Sequence, residues 1–264
     1  MNPTTFNFFL LMRMTFLGTG TSGGVPSVGC KCEVCTSCDP RDNRLRCSAL
    51  LETETTRVLV DCGPDFRQQI LPFDFKPIDG VLLTHIHYDH VAGIDDIRPF
   101  CVFGPVNIYA EANTVAALKK TMPYCFSEHL YPGVPLLSLH EARLHETIRI
   151  GDVDVTPFRV MHGKMPIMGF RVGNLAYITD MKTMPDEEMA FLKGVDTLVV
   201  NALRITKEHH SHQLLDDAIA FSKKVGARRT FLTHFTHQIG LHAATSALLP
   251  DGVFLAYDRL VVDI

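Results

Sequence analysis

No apolar run in this sequence approaches the ~20 residues that a bilayer-spanning helix requires, so no membrane span is expected. Positive charge is not in excess either. Acidic side chains number 29 against 25 basic ones, and the formal net charge is −4 with 13 histidines counted as neutral. Extended nucleic-acid footprints rest on Lys and Arg neutralising phosphates, so nucleic acid is not an expected partner. Internal repeats, low-complexity tracts and Pro/Gly/Ser linkers are missing, and the scattered Pro and Gly read as turn punctuation. The eight cysteines do not look like an extracellular disulfide framework in a chain of 264 residues. A reducing cytoplasm is the expected setting. Phe6 to Met12 is apolar but too short to span, and no small-residue cleavage site follows it. Residues 1–13 are therefore expected to be an N-terminal extension without fixed structure, ahead of one domain over residues 14–264.

What is present suits a sizeable core: 46% of residues are hydrophobic and 20% charged. Strand-like runs recur at Met14–Gly18, Ala49–Leu51, Arg57–Asp61, Gly80–Thr84, Val106–Ala110 and Ile148–Arg159. Further runs lie at Met168–Val172, Ala176–Asp180, Thr197–Val200, Thr230–Thr233, Val253–Tyr257 and Leu260–Val262. Helical patterns fall at Ala112–Thr121, Pro185–Leu192, Leu214–Val225 and Leu241–Leu249. Two sheets packed face to face with helices outside would accommodate this order.

The densest chemistry is Thr84-His85-Ile86-His87-Tyr88-Asp89-His90, which follows an apolar run and leaves a strand. Imidazole and carboxylate ligate Zn²⁺, Mn²⁺ and Fe²⁺. A segment this rich can hold two metals side by side, which together activate water and offset the charge of a displacement. More ligands are needed than one segment supplies. His162, Asp180 and His234 each stand alone at the end of a strand-like run, where one sheet edge could present them together. Asp180 suits a bridging position, because a carboxylate can offer one oxygen to each metal.

This series, His85, His87, Asp89, His90, His162, Asp180 and His234, resembles the ligand series of the metallo-β-lactamase superfamily. The resemblance implies an α+β fold, an αββα sandwich of two mainly antiparallel sheets flanked by helices. Phe16-Leu-Gly-Thr-Gly-Thr-Ser-Gly-Gly-Val-Pro26, Val60-Asp-Cys-Gly-Pro-Asp-Phe-Arg67 and Gly93-Ile-Asp-Asp-Ile-Arg98 resemble PhnP-type phosphodiesterases in particular. Transfer-RNA 3′-processing enzymes and PqqB-type proteins are more distant. By resemblance, His85, His87 and His162 would hold a first metal and Asp89, His90 and His234 a second, with Asp180 between them. The metals would be Mn²⁺, Zn²⁺ or Fe²⁺. Asp61 would orient a ligand histidine, or else simply form a turn before Gly63.

Cys30-Lys-Cys32-Glu-Val-Cys35 places three thiols at a spacing suited to a structural zinc. Cys38 is a rival fourth ligand by spacing. The PhnP-type pattern instead implies His237, in Leu232-Thr-His234-Phe-Thr-His237. Cys47, Cys62, Cys101 and Cys125 read as buried small hydrophobes. In His209-His210-Ser211-His212 the same resemblance points to His212 as a catalytic proton donor, with helix capping as the alternative. His209 and His210 read as solvated. Arg67, Asp95, Asp96 and Arg98 could bind a phosphate oxygen or pair with one another. His129, His140, His145 and His242 join no constellation.

The expected function is metal-dependent hydrolysis of a small phosphodiester, such as a cyclic ribose phosphate, with His212, Asp89 and Asp180 in the catalytic machinery. Rival readings are a transfer-RNA 3′ endonuclease, disfavoured by the negative charge and the lack of a Lys-rich arm, and a non-hydrolytic PqqB-like carrier. The fold allows a homodimer.

Overall fold

The computed structural model describes residues 12–127 and 129–264. The first half of the chain supplies β1 (Arg13–Gly18), β2 (Ser48–Glu52), β3 (Arg57–Val60), β4 (Gly80–Leu82), β5 (Val106–Ala110) and β6 (Leu137–Glu141). The second supplies β7 (Ile148–Ile150), β8 (Val153–His162), β9 (Met165–Val172), β10 (Leu175–Tyr177), β11 (Thr197–Asn201), β12 (Arg229–Thr233), β13 (Val253–Leu255) and β14 (Val261–Asp263). The α-helices are α1 (Phe66–Ile70), α2 (Tyr88–Val91), α3 (Ala112–Thr121), α4 (Leu215–Val225) and α5 (His242–Ser246).

The strands form two seven-stranded sheets, in the orders β14-β1-β2-β3-β4-β5-β6 and β13-β12-β11-β10-β9-β8-β7. Alternation along each strand sends one set of side chains between the sheets and the other set outward. Phe16, Leu51, Val60 and Leu82 meet Val155, Phe170, Tyr177 and Val199 in the shared interior. Leu50, Leu59, Val81 and Ile108 face outward instead, under Phe66 of α1, Leu118 of α3 and the 3₁₀ segment Ile94–Phe103. On the other side Leu198, Val200 and Leu232 pack against Leu215, Ala218 and Phe221 of α4. The layers are thus helix, sheet, sheet, helix.

This is the expected sandwich of two sheets flanked by helices, with sheets that are mixed rather than mainly antiparallel. In each, three antiparallel pairings give way to three parallel ones. The reason is connectivity: a parallel pair needs a crossover, and a helix usually makes it. Helical segments lie between β3 and β4, β4 and β5, and β5 and β6, and again between β10 and β11, β11 and β12, and β12 and β13.

Local sequence explains the best-defined helices. α3 matches the expected Ala112–Thr121 and ends just before Pro123, which disfavours helical geometry in the residue ahead of it. α4 has Asp216 and Asp217 in its first turn and Lys223 and Lys224 in its last, as the helix dipole favours, and closes on Gly226 at φ 74. Other boundaries move. Asp186–Leu192 is a 3₁₀ helix rather than a longer helix from Pro185. β10 stops at Tyr177, so Asp180 lies on the loop beyond it. The expected extension lies outside the described residues for 1–11. Met12 is buried and Arg13 opens β1, so the sheet begins ahead of Met14. No helix among the described residues is long and apolar enough to cross a membrane.

Candidate metal centre

Strands of both sheets deliver their C-terminal ends to one rim. Asp61 follows β3, His85 follows β4, and α2 carries Asp89 and His90. From the facing sheet, His162 ends β8, Asp180 follows β10 and His234 follows β12. Asp61, Asp180 and His234 hold φ of 59, 56 and 59, a left-handed region that non-glycine residues seldom enter. Strain of this kind clusters at functional sites. Glycine permits the approach of α2 to the Asp61 loop: a Cβ at Gly63 would lie 2.1 Å from the Asp89 carbonyl oxygen, and one at Gly93 would lie 2.0 Å from the Gly63 carbonyl oxygen.

The ligand atoms fall into two groups, His85, His87 and His162, and Asp89, His90, Asp180 and His234, each with its atoms within 4.8 Å of one another. His90 Nε2 lies 3.3 Å from Asp89 and 3.2 Å from Asp180, while His234 Nε2 lies 3.1 Å from Asp180 and 3.6 Å from Asp89. Yet His85 Nε2, His90 Nε2 and both ring nitrogens of His234 are buried without a hydrogen bond. Buried polar atoms are seldom left so. Lone pairs converging from imidazole and carboxylate fit divalent cations, which makes these residues a suitable two-metal cradle.

The far sides of the rings are held as metal ligands usually are. His90 Nδ1 donates to Asp61 Oδ2 at 2.7 Å, and His162 Nδ1 donates to the Ser211 carbonyl at 2.9 Å. Thr84 links Asp61 to His85: its Oγ1 is 2.9 Å from Asp61 Oδ2 and 2.9 Å from His85 Nδ1. Thr179 Oγ1 donates to Asp180 Oδ2 at 2.6 Å. Sequence reading singled out Asp61 but not Thr84 or Thr179, and took Ser211 only as a possible cap of α4, whose N-terminal flank is Leu214 instead. Thr84 adjoins His85 and could have been suspected; a backbone carbonyl gives no sequence signal.

Burial holds His85 well below its ordinary pKa and lowers His87, so both offer lone pairs. Burial opposes charge on His90, but Asp61 and Asp180 outweigh it and raise the ring well above its usual range. Asp180 is likewise desolvated, yet His234 and His90 keep it well below the usual carboxylate range. A cation in this cluster would oppose a proton on His90 and favour a free lone pair at its Nε2.

His212 reaches the same carboxylate: its Nε2 lies 2.9 Å from Asp180 Oδ1. Burial pushes the ring down to about 4 against the pull of Asp180. It does not cap α4, whose N-terminal flank is Leu214. His209 is half-buried rather than solvated, with Nδ1 3.1 Å from His212 Nδ1, whereas His210 is exposed.

The Cys30, Cys32 and Cys35 sulfurs stand 3.2, 3.2 and 3.3 Å from His237 Nδ1. Three thiols and one imidazole form the set that suits a tetrahedral zinc. Cys38 is exposed and outside the cluster. A backbone hydrogen bond at Cys35 lowers Cys32 to about 6, while burial raises Cys35 to about 11. Cys47, Cys62 and Cys125 are buried as expected; Cys101 is only partly so, with Sγ accepting from the Leu136 N–H at 3.2 Å.

Arg98 pairs with Asp95 at 2.5 Å. Arg67, Asp95, Asp96 and Arg98 line a separate 420 Å³ hollow that shares no lining residue with the cavity over His87 and His162. His145 pairs with Glu188 at 2.9 Å, His140 lies 2.9 Å from Asn107, and His242 is buried beside Arg44; His129 joins no cluster.

Fold and site together define a two-sheet scaffold with a rim suited to divalent cations, and the comparisons place it in a family. A family model described as Beta-lactamase superfamily domain matches residues 56–235, and the chain belongs to the metallo-β-lactamase superfamily. A solved diphosphatase of the PhnP family is 38% identical, with a TM-score of 0.89, covering 96% of this chain and 97% of that one. Zn²⁺-bound PqqB from Methylobacterium extorquens shares the fold, with a TM-score of 0.77 at 21% identity, covering 96% of this chain and 100% of that one. An octanoyltransferase of Porphyromonas gingivalis is 43% identical over 250 residues, 94% of this chain and 51% of that protein. The chain spans about half the length of the curated relatives it matches first.

Proposed function

We propose that this protein is a metal-dependent phosphodiesterase acting on a small phosphodiester, with a cyclic ribose phosphate as the first candidate. The observation that carries the reading is His212 placed on the carboxylate shared by the second ligand group, beside a complete set of seven ligands. His85, His87 and His162 would hold one divalent cation, Asp89, His90 and His234 the other, and Asp180 both. When bound, the cations supply positive charge toward the phosphoryl oxygens and acidify a water. Asp61 fixes the ring of His90 and Ser211 that of His162, so the lone pairs are aimed before substrate arrives. His212 carries its proton at Nε2, because that atom faces a carboxylate oxygen that can only accept. With both ring nitrogens protonated it would donate the Nε2 proton to the departing oxygen and be left as the neutral imidazole. A bound phosphodiester anion opposes the burial that depresses the ring, and so raises its proton affinity during the reaction. Cys30, Cys32, Cys35 and His237 would hold a structural zinc that pins the N-terminal loop against the segment carrying His234.

The PhnP-family relative is a diphosphatase, which makes a diphosphate a second candidate substrate within the same phosphoryl chemistry. The octanoyl transfer in the Porphyromonas protein's name belongs to a chain about twice as long, and imidazole and carboxylate around a metal cradle suit hydrolysis better. The test is hydrolysis of a ribose cyclic phosphate and of a bis-aryl phosphodiester by protein stripped of metal and reloaded with Mn²⁺ or Zn²⁺. Turnover of the cyclic ester well above the aryl ester is expected. No turnover of either with both metals bound would overturn the reading in favour of a metal-binding carrier.

A further inference from the structure

β10 and β11 run parallel and in register as far as Tyr177, which pairs with Val199. Ile178 adds one bond more, its N–H donating to the Val199 carbonyl at 2.9 Å. Beyond it Asp180 turns away at φ 56 and leaves the strand. Met181 is fully buried, so its peptide groups need partners there. A side chain supplies them. Asn201, the last residue of β11 and equally buried, accepts from the Met181 N–H at Oδ1, 2.7 Å away, and donates from Nδ2 to the Met181 carbonyl at 3.0 Å. The Met181 N–H can only donate, which fixes the orientation of the amide. An amide sets an acceptor and a donor side by side, as the missing stretch of strand would; a carboxylate only accepts, and a hydroxyl presents a single atom.

The same Met181 carbonyl accepts from the Gln213 N–H at 3.0 Å. The Gln213 carbonyl in turn accepts at 2.9 Å from the N–H of Leu203, two residues beyond Asn201. Met181 follows Asp180, and Gln213 follows His212. One backbone hydrogen bond between the two followers therefore sets the spacing of the side chains just ahead of them, which meet at 2.9 Å between His212 Nε2 and Asp180 Oδ1. Asn201 also lies opposite Thr233, the residue before His234. Oδ1 and Nδ2 are both engaged with Met181, so Asn201 acts on the His212–Asp180 pair through the backbone.

We propose that Asn201 is a positioning residue for proton transfer, its amide clamping Met181 so that His212 and Asp180 stay in register during turnover. The proposal rests on the phosphodiesterase reading with His212 as proton donor. It is tested in the metal-loaded protein with two esters that differ in their need for a proton. A ribose cyclic phosphate expels an alkoxide, which requires one; bis(4-nitrophenyl) phosphate expels 4-nitrophenolate, which does not. In Asn201→Ala, with bound metal and circular dichroism matching the parent, kcat for the cyclic ester should fall by about 10–100-fold. KM should hardly move, and kcat for the aryl ester should stay close to the parent value. An equal fall for both esters, no fall for either, or loss of bound metal overturns the positioning role. Asn201→Ser carries the same test if Asn201→Ala does not fold; if neither folds, Asn201 is a requirement of the fold and the positioning role is overturned. A parent that turns over neither ester ends the phosphodiesterase reading. In that case, or where the parent accepts only one ester, the clamp is judged by proton NMR of the zinc-loaded protein. A slowly exchanging downfield imidazole proton that His212→Ala removes should be present in the parent and lost in the Asn201 variant. Its absence from the parent, or its persistence in the variant, overturns the clamp.

Discussion

Asp180 is asked to do three things with one carboxylate: face His90, face His234 and receive His212. Its backbone sits at φ 56, which asparagine tolerates better than alanine, so Asp180→Asn removes charge with little added strain. That variant should lose turnover and bound metal together, read by activity and by metal analysis of the same sample. Turnover persisting without the charge would sink the mechanism. His212→Ala should behave differently. It is expected to lower kcat by about 10²–10⁴ while metal content stays at the parent level; an emptied site would mean that the ring is a ligand instead. Asp61 contacts His90 and Thr84 but not the space between the ligand groups. Asp61→Asn, chosen because Asp61 also sits at φ 59, should weaken metal affinity by about 10–100-fold, measurable by competition with a chromogenic chelator.

Among elements, the short segment from β12 through His237 matters most, because one turn serves both candidate metal clusters. Phe235 donates its N–H to the Thr19 carbonyl and accepts from Thr21 N–H, both at 2.9 Å, so the N-terminal loop and the His234 turn are stitched together. His237→Ala should release one zinc per chain and lower Tm by about 4–8 °C, a loss near 2 kcal/mol for a domain of this size. An unchanged zinc content would show that Cys38 can substitute. The same segment shows what was legible in advance. His234 and His237 stand out because histidine is rare enough to be noticed at strand ends, and α3 and α4 announce themselves through charge placement and a stopping Pro or Gly. β6 did not, since its side chains are half exposed and its alternation is faint. Strand direction was equally hidden: whether β3 and β4 run together depends on the five-residue α1, too short to leave a periodic signature. Thr84 and Thr179 work through hydroxyls that any surface threonine also has. The Ser211 contribution comes from the backbone, which composition does not encode.

Across the whole molecule, the first and last thirds are bound by a buried polar chain away from the candidate metal ligands. Arg44 is fully buried, donates to Thr19 Oγ1 at 2.9 Å and to the Ala256 carbonyl at 2.7 Å, and lies 4.5 Å from the Phe235 ring centroid. Thr19 in turn donates to Asp258 at 2.8 Å, and Asp258 also accepts from Leu45 N–H. Burial raises Asp258 to about 6. The folded state therefore holds this proton more tightly than the unfolded state does, and stability from this group falls as pH rises from about 4 to about 6. The full effect is about 3 kcal/mol at ~1.4 kcal/mol per pH unit. Asp258→Asn lacks that titration, so its Tm relative to the parent should climb between pH 4.5 and pH 7.5. A difference that stays constant with pH would remove Asp258 from the account.

The pairing of β1 with β14 has a consequence for how the protein is made. Arg13 lies opposite Asp263, so β1 waits for β14, about 250 residues later in synthesis, before its outer edge is covered. At about 5–20 residues per second the wait is roughly 10–50 s. For that interval a hydrophobic strand offers open hydrogen-bonding groups to any neighbour. The growing chain thus depends on being shielded, and slow translation or crowded polysomes should cost more soluble product than any single weak contact in the finished fold.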